Sequence, residues 1–582
     1  MKPGIEIRDA FKAYRHDQDK VRSPEQTLSW ARERLSTLNL DILTRTVRID
    51  TGRLGIPVYI SLCGNDASRF TGTRKQMGKG ATPVQSEASA IMELMERYSF
   101  FSFVQTTDFP LYRYPEVPGS TVAVETLLQS IHDSSTPAGK CSAFLKDLPL
   151  RWVGCRNLSR RIDQWVPIDW FYLINEYNGP AAGNTIEEAV LQSLCEVVER
   201  HVGSIISHER KETPAIDIAS LRDPAAIELV DKFRNQGIRL FLLDFSLDTG
   251  IPTVGALAFD PSTFPEKSEI VFTAGTTPNP EKSLCRALTE IAQLAGDFEN
   301  RTSYRPTLPK YESLDEAAYL MQSSRAISIA ELPNLDHDNL RIEIERCVEA
   351  LDRISLEVLT VNTTHPQLGI PAVYTIVPGA HFLDRTRNTD FAQHVARTMT
   401  RGLPEHENRK HMERLIDLFG PRYDLTFFLA HSMERNGETQ AALALFREAL
   451  RQDPDPRETA SLHIHIGSCL KDMGDYSDAL DALEKAEEFN PELKEIYNLR
   501  GFCHFKLKNH HDAIKAFEKA IELDPGSAID YANIGSNLRE LGYREEAVRL
   551  YKMALEIDPD IDFARENITR LEAELETGSG AA

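Results

Sequence analysis

An Asp-Pro or Asn-Pro step recurs at Pro454, Pro491, Pro525 and Pro559, at separations of 37, 34 and 34 residues. A glycine recurs at Gly467, Gly501 and Gly535, again 34 apart. A fixed period of this length marks supersecondary units that bury their apolar faces only against their neighbours. Within each unit a first helix is predicted to end near a glycine or polar turn: Gly437, Gly474, the Lys508–His510 segment and Gly542. A second helix then carries alanine pairs two turns apart, Ala442 with Ala449, Ala479 with Ala486, Ala513 with Ala520, and Ala547 with Ala554.

Small residues at these positions let paired helices approach closely, and the pattern resembles the tetratricopeptide repeat (TPR). Three units span 457–490, 491–524 and 525–558. A fourth spans 424–456, with its three-residue excess falling at the turn around Asp453 to Glu458. Residues 560–576 read as a polar capping helix that closes the last apolar face. The expected layout is a front domain over 1–403, a linker over 404–423, TPR repeats with their cap over 424–576, and a disordered tail over 577–582.

Ahead of residue 403 the pattern changes to alternating strands and helices. The runs LFLLDFSL (240–247), TVGALAF (253–259), EIVFTAG (269–275), SLEVLTV (355–361) and AVYTIVPG (372–379) are short and apolar, which predicts strands. Two further strands are predicted near 43–49 and 57–63, and amphipathic helices near 25–37, 84–103, 185–206, 280–298 and 339–352. The front domain is therefore of α/β (α+β) class. Gly-Ile-Pro occurs at 55–57, 250–252 and 369–371, each time between two predicted strands, which suggests three related hairpins.

The 582-residue chain has a formal charge of −22, of which residues 421–582 carry −13. This balance argues against binding nucleic-acid phosphates, whereas acidic repeats favour a basic protein or peptide partner; a solvated face would read the same way. No stretch is apolar enough to span a membrane and the N-terminus is too polar for a signal peptide, so a cytoplasmic protein is expected. The eight cysteines include no CxxC pair and read as packed, reduced thiols. His463 and His465 stand two apart and His510 and His511 are adjacent, so neither pair shares a helical face and no histidine metal site is expected.

Chemistry is concentrated in the helices. In PVQSEASAIMELMERYSFF, Ser89, Glu93 and Glu96 fall at i, i+4 and i+7 on one face. In TIEEAVLQSLCEVVERHV, Glu188, Gln192, Glu196 and Glu199 form a comparable stripe. Both helices share the frame E-x-x-E-R, which places Arg97 and Arg200 directly after a carboxylate pair, and a third helix offers Arg286 and Glu290 at i, i+4. For one helix this could be a charged outer face with local ion pairs. Two matching frames favour a shared site, because facing carboxylates repel unless cations lie between them. Carboxylates for Mg2+ together with arginines imply a nucleotide triphosphate.

Gly78, Lys79 and Gly80 precede the first acidic helix, and Gly183, Asn184 and Thr185 the second, so backbone N–H groups there are candidates for phosphate binding. A Walker loop is excluded, since Gly72 and Gly78 are six apart and Lys79 precedes glycine.

The segments RLGIPVY, GKGATPVQSEASAIMELMERYS, GNTIEEAVLQSLCEVVERH and RALTEIAQ resemble the motifs of the YcaO family over roughly residues 15–385. The resemblance implies an ATP- and Mg-dependent activator of peptide backbone amides. A nucleophile adds to the amide carbon, the oxyanion takes the γ-phosphoryl group, and phosphate leaves to give an azoline, an amidine or, with sulfide, a thioamide. It implies further that Glu93, Glu96, Glu188, Glu196 and Glu199 hold Mg, with Ser89 nearby. Asn184, Gln192, Arg200 and Arg286 would contact phosphates and Glu290 would complete the nucleotide site. Lys20 and Thr27 resemble the family's N-terminal nucleotide contacts. Cys195 and Cys285, inside the motifs, read as packed small hydrophobes.

Azoline-forming members commonly end in a Pro-x-Pro-x-Pro tail, whereas this chain ends in acidic repeats and GSGAA, which counts against heterocycle formation. A front domain of this family followed by TPR units also resembles the member implicated as accessory factor in ribosomal protein β-methylthiolation. The expected partners are a protein or peptide substrate, a sulfur donor or methylthiotransferase, a protein docked on the TPR units, and a second copy of the chain. Two functions stand open: an enzyme of thioamidation or related modification, and an ATP-binding assembly factor without peptide chemistry of its own.

Overall fold

The structure, a computed structural model, describes residues 5–133, 135–299, 308–382 and 390–578. It divides into two compact units, Met1–His394 and Val395–Ala582. The first is a mixed α/β unit and the second a run of helices.

The strands of the first unit are β1 (Leu43–Arg48), β2 (Val58–Cys63), β3 (Lys75–Lys79), β4 (Leu111–Tyr112), β5 (Leu150–Asn157), β6 (Ile162–Pro167) and β7 (Pro180–Ala182). They continue with β8 (Ala215–Ile216), β9 (Arg239–Asp244), β10 (Thr253–Phe259), β11 (Val271–Thr276), β12 (Ala326–Ile327), β13 (Leu359–Asn362) and β14 (Ala372–Ile376). They form three sheets, ordered β1-β2-β3, β11-β10-β9-β8-β12, and β4-β5-β13-β14-β7 with β6 paired to β5.

Each sheet contains one Gly-Ile-Pro link, between β1 and β2, β9 and β10, and β13 and β14, all antiparallel pairs. Gly55, Gly250 and Gly369 take φ of 64°, 68° and 64°, a left-handed conformation that a side chain would oppose. The proline that follows by two residues enters the strand without needing an N–H.

Five helices matter for the site: α1 (Pro24–Ser36), α2 (Pro83–Thr106), α3 (Ile186–Glu209), α4 (Pro280–Ala295) and α5 (Leu340–Arg353). Thr82, Thr185 and Asn279 cap α2, α3 and α4 through side-chain oxygens that accept first-turn N–H groups. Each of these three helices also follows a strand whose nearby glycine touches it. A Cβ on Gly78 would lie 2.1 Å from the Ala90 nitrogen, on Gly183 2.5 Å from the Ala189 nitrogen, and on Gly275 2.3 Å from the Ser283 oxygen. Behind α4 the core buries Ile56, Val254, Leu284, Leu288, Ile291 and Phe298. Each such side chain contributes roughly 1.5–3 kcal/mol.

In the second unit the residues expected as a linker contain α6 (Glu405–Phe419), which buries Asn408, His411, Met412 and Leu415 and packs on the next helix. Those positions follow the 3.6-residue period, but the surrounding charges in EHENRKHMERLID mask it. Four helix pairs follow: α7 (Tyr423–Arg435) with α8 (Thr439–Leu450), α9 (Pro456–Met473) with α10 (Tyr476–Phe489), α11 (Lys494–Lys506) with α12 (His510–Leu523), and α13 (Ala528–Glu540) with α14 (Arg544–Ile557). A last helix, α15 (Asp562–Gly578), packs on α14. Of the expected tail, residues 579–582 lie outside the described residues.

All eight periodic alanines are fully buried. A Cβ on Gly467, Gly501 or Gly535 would stand 2.8, 2.6 or 3.1 Å from the side chain of Leu483, Phe517 or Tyr551 respectively, so the period records where helices touch. Gly437, Gly474, Lys508 and Gly542 supply left-handed turns between paired helices. Among the described residues no helix is long and apolar enough to cross a membrane.

Candidate active site

Helices α2, α3 and α4, strand β3, the turn after β7 and the segment around α1 enclose one cavity of about 450 Å³ in the first unit. Ser89, Glu93, Glu96 and Arg97 enter it from α2; Glu188, Gln192, Glu196 and Arg200 from α3; and Arg286 and Glu290 from α4. Lys20 and Thr27 reach it from the N-terminal segment, Lys79 from β3, and Asn184 from the turn before α3. Of the side chains that the sequence assigns to the site, only Glu199 does not line it.

Two networks order the walls. On one side the Thr27 hydroxyl donates to Asn184 Oδ1 at 3.0 Å, and Asn184 Nδ2 donates to Glu188 Oε1 at 2.9 Å. The Val21 N–H donates to Glu188 Oε2 at 3.2 Å, and Lys20 Nζ stands 3.6 Å from Glu188 Oε1. Lys20, Thr27, Asn184 and Glu188, chosen from separated stretches of sequence, thus form one connected group. On the other side Arg97 donates to Glu93 at 2.9 and 3.0 Å and to the Tyr177 carbonyl at 2.9 Å, with Glu96 at 3.4 Å. Lys79 pairs with Glu290 across β3 and α4.

Glu199 is fully buried beneath two guanidinium groups. Its Oε1 lies 3.1 Å from Arg200 Nη1, and its Oε2 accepts from Arg286 Nε at 3.1 Å and from the Thr276 N–H at 3.2 Å. It thus pairs with two arginines that line the cavity but does not itself line it.

The glycine-rich starts also differ from expectation: Gly78, Gly80 and Gly183 do not line the cavity. Gly78 and Gly183 have a steric task, since a Cβ on either would collide with helix backbone.

The electrostatics follow from seven cationic and five carboxylate side chains that line the cavity. Burial, then the charge of Glu93, raises the Glu96 carboxyl well above the usual carboxylate range, against the pull of Arg97. Burial also raises Glu196, although Arg200, Arg97 and Arg286 oppose it. Glu290 behaves oppositely: burial would raise it, but Lys79, Arg200 and Arg286 together hold it below its ordinary value. Carboxylates that burial and mutual repulsion drive toward protonation are hard-oxygen donors suited to Mg2+, whose charge would reverse that pressure. The surplus of lysine and arginine suits the phosphates of a nucleotide. The residues present therefore fit both groups.

Sequence reasoning did not find Lys75, Gln76 and Met77 of β3, nor Gln18, Arg22 and Gln293, which also line the cavity. A period-two pattern, Lys75, Met77 and Lys79, was the available signal for the strand. Cys195 and Cys285 are buried; burial pushes the Cys195 thiol up to about 12 and raises Cys285 further, which leaves both as poor nucleophiles.

Residues 77–381 match the family model described as YcaO cyclodehydratase, ATP- and Mg2+-binding. Tetratricopeptide repeat models match 409–455, 433–501, 495–527 and 531–561. An uncharacterised protein of Methanothermobacter thermautotrophicus is 28% identical over 383 residues, 61% of this chain and 93% of that protein. The ribosomal protein S12 methylthiotransferase accessory factor YcaO of Escherichia coli K12 is 27% identical over 340 residues, 52% of this chain and 56% of that protein. The structure of YcaO from Methanopyrus kandleri bound with AMPPCP and Mg2+ superimposes with a TM-score of 0.50 at 25% identity, covering 64% of this chain and 94% of that one.

Proposed function

The chain belongs to the YcaO family, and on that footing we propose that it activates a backbone amide of a protein or peptide for thioamidation or a related modification. Its cofactors are ATP and Mg2+. Bound ATP supplies the phosphoryl group that makes an amide oxygen a leaving group, and Mg2+ neutralises triphosphate charge.

The chain's residues prepare that chemistry. Glu93, Glu96 and Glu196 project from two different helices into one buried space and supply the oxygens for the cation, with Glu188 beside them and Ser89 on the same helical stripe. Arg200 and Arg286 are held in place by Glu199 and line the cavity, where their positive charge suits phosphate oxygens. Lys79 and Glu290 fix one wall; Lys20, Thr27, Asn184 and Gln192 fix the other. Preorganised charge of this kind needs no nucleophilic side chain, because positioning and neutralisation account for most of phosphoryl transfer.

The observation that carries this reading is the convergence of those carboxylates and arginines on a single cavity of about 450 Å³. It is tested by Mg2+-dependent phosphate release from ATP by the purified chain. Glu196→Gln should reduce turnover by at least about tenfold at saturating ATP, since a metal or transition-state contact is worth several kcal/mol. Equal Mg2+-dependent rates in both would defeat it.

A second reading is favoured by the likeness to the E. coli accessory factor and by the TPR units. On it the chain binds ATP but serves a methylthiotransferase or a sulfur donor as an assembly factor in the cytosol, docking its partner through the repeats. The two readings separate on peptide mass: a gain of about 16 Da, oxygen exchanged for sulfur without a transferase present, supports the enzyme.

A further inference from the structure

We propose that His431, Glu434 and His465, in the helical unit, form a site for a divalent transition-metal cation of the Zn2+ class. This is independent of the nucleotide cavity.

His431 and Glu434 stand at i, i+3 on α7, and His465 stands on α9, one repeat further along. One donor atom from each of the three lies within 4.8 Å of the others. Two imidazoles and a carboxylate are the donor set that Zn2+ accepts at roughly 2.0–2.2 Å, and small side-chain rotations would close the triangle. Sequence spacing could not show this, because the ligands come from two helices brought side by side by the repeat.

His465 Nδ1 already contacts Glu434 Oε2 at 2.7 Å, while the His431 ring makes no hydrogen bond among the described residues and crosses His465 edge-on at 5.4 Å between centroids. Phe427 and Phe446 pack on His465 at 5.2 and 5.0 Å, giving the apolar surround that fixes a ligand's orientation. Cys469, one turn beyond His465, directs its thiol at Glu434 Oε1 at 3.8 Å and so steadies the carboxylate from behind.

A second group of comparable geometry sharpens the case. Asp19, Asp336 and Glu343 also converge. There Lys12 Nζ occupies the centre, at 2.8, 2.6 and 2.6 Å from the three carboxylates, so that group carries its own cation. Among the described residues no lysine or arginine fills the histidine group in the same way; Glu434 is paired there with a potential ligand, His465, and the centre is open to an ion from solution. Bound there, the ion would tie the first helices of consecutive repeats together.

The test uses the full chain, stripped with chelator and then given Zn2+ or Co2+ in the presence of excess Mg2+ and AMPPCP, which occupy the catalytic cavity. One tightly retained equivalent of Zn2+ is expected, with affinity weakened by at least about 100-fold in His431→Asn and in His465→Asn. His463→Asn, beside the site but not in it, should retain the wild-type equivalent. If a variant fails to fold, the Co2+ absorption of the wild type decides. Intense four-coordinate visible bands support the site; weak six-coordinate absorption, or no retained equivalent, overturns it.

Discussion

Glu199→Gln separates charge from shape at the base of the cavity. The amide keeps the side-chain volume and still accepts the Thr276 N–H, whose carboxylate contact is 3.2 Å, but withdraws the anion from Arg200 and Arg286, each 3.1 Å away. At an effective dielectric near 20 each such pair is worth about 5 kcal/mol of gross attraction. Removal of one member of a buried pair costs about 3–5 kcal/mol net, because the remaining charge is left uncompensated. The four tryptophans, Trp30, Trp152, Trp165 and Trp170, all lie in the first unit, so urea unfolding followed by tryptophan fluorescence reports that unit alone. With a slope of roughly 3 kcal/mol per M the midpoint should fall by about 1 M. Saturating AMPPCP with Mg2+ should then narrow the gap between variant and wild type, since phosphate oxygens return negative charge to the same guanidinium groups. A wild-type midpoint in the variant, or a gap that nucleotide leaves unchanged, would refute this account of Glu199.

Acidification should weaken the first unit through a stack of histidines. His132 and His381 stack at 3.9 Å, His201 and His381 at 5.4 Å, and the His381 backbone N–H donates to His201 Nδ1 at 3.0 Å. Burial, with neighbouring imidazoles, depresses both His201 and His381 to about 4. A histidine held below its unfolded value near 6.5 loses its stabilising contribution as pH falls from there towards 4, so buried His201 should withdraw about 2 kcal/mol between pH 7.5 and pH 5. The same fluorescence assay should show a flatter profile for His201→Asn; parallel profiles would contradict it. Lys12→Met leaves Asp19, Asp336 and Glu343 without their shared cation and should cost about 3–5 kcal/mol. Because Lys12 anchors the segment that carries Lys20, KM for ATP should rise more than kcat falls, and unchanged KM would disprove the link. Gly501→Ala would drive a Cβ to 2.6 Å from the Phe517 ring and should cost about 1–3 kcal/mol in the second unit. Far-UV circular dichroism should register that loss while the tryptophan transition stays put; a shift in both would contradict the separation.

What the sequence made legible was whatever is written in local periodicity. The E-x-x-E-R stripes gave the cavity-facing sides of α2 and α3 because residues three and four apart share a helical face whatever surrounds them. The alanine and glycine period gave the four helix pairs because close approach demands small residues there. Strand β3 was missed: KQMGK is short and polar, and its pairing with β2 is a tertiary fact. The burial of Glu199 was missed for a related reason. Its place on the stripe is identical in kind to that of Glu196, and the difference between them lies in β11, which brings the Thr276 N–H to the Glu199 oxygen. The histidine group of α7 and α9 was hidden because its members are 34 residues apart at most and on different helices.

The three strand-to-helix passages show why one site can be drawn from distant segments. Gly78, Gly183 and Gly275 each allow the chain to run against the first turns of the helix that follows, and in two of the three cases the nearest obstacle to a Cβ is a helix nitrogen. A backbone atom cannot swing aside as a side chain can, so an alanine at Gly78 would force strand and helix apart by about 1 Å to recover an ordinary contact. Lys79 is the next residue of that strand, and its partner Glu290 stands on a different helix. Separation of β3 from α2 would therefore move Lys79 against Glu290 while Glu93 and Glu96 stayed with α2. Gly78 thus acts on the cavity without touching it: it fixes the distance between β3, which carries Lys79, and the helix that carries Glu93, Glu96 and Arg97.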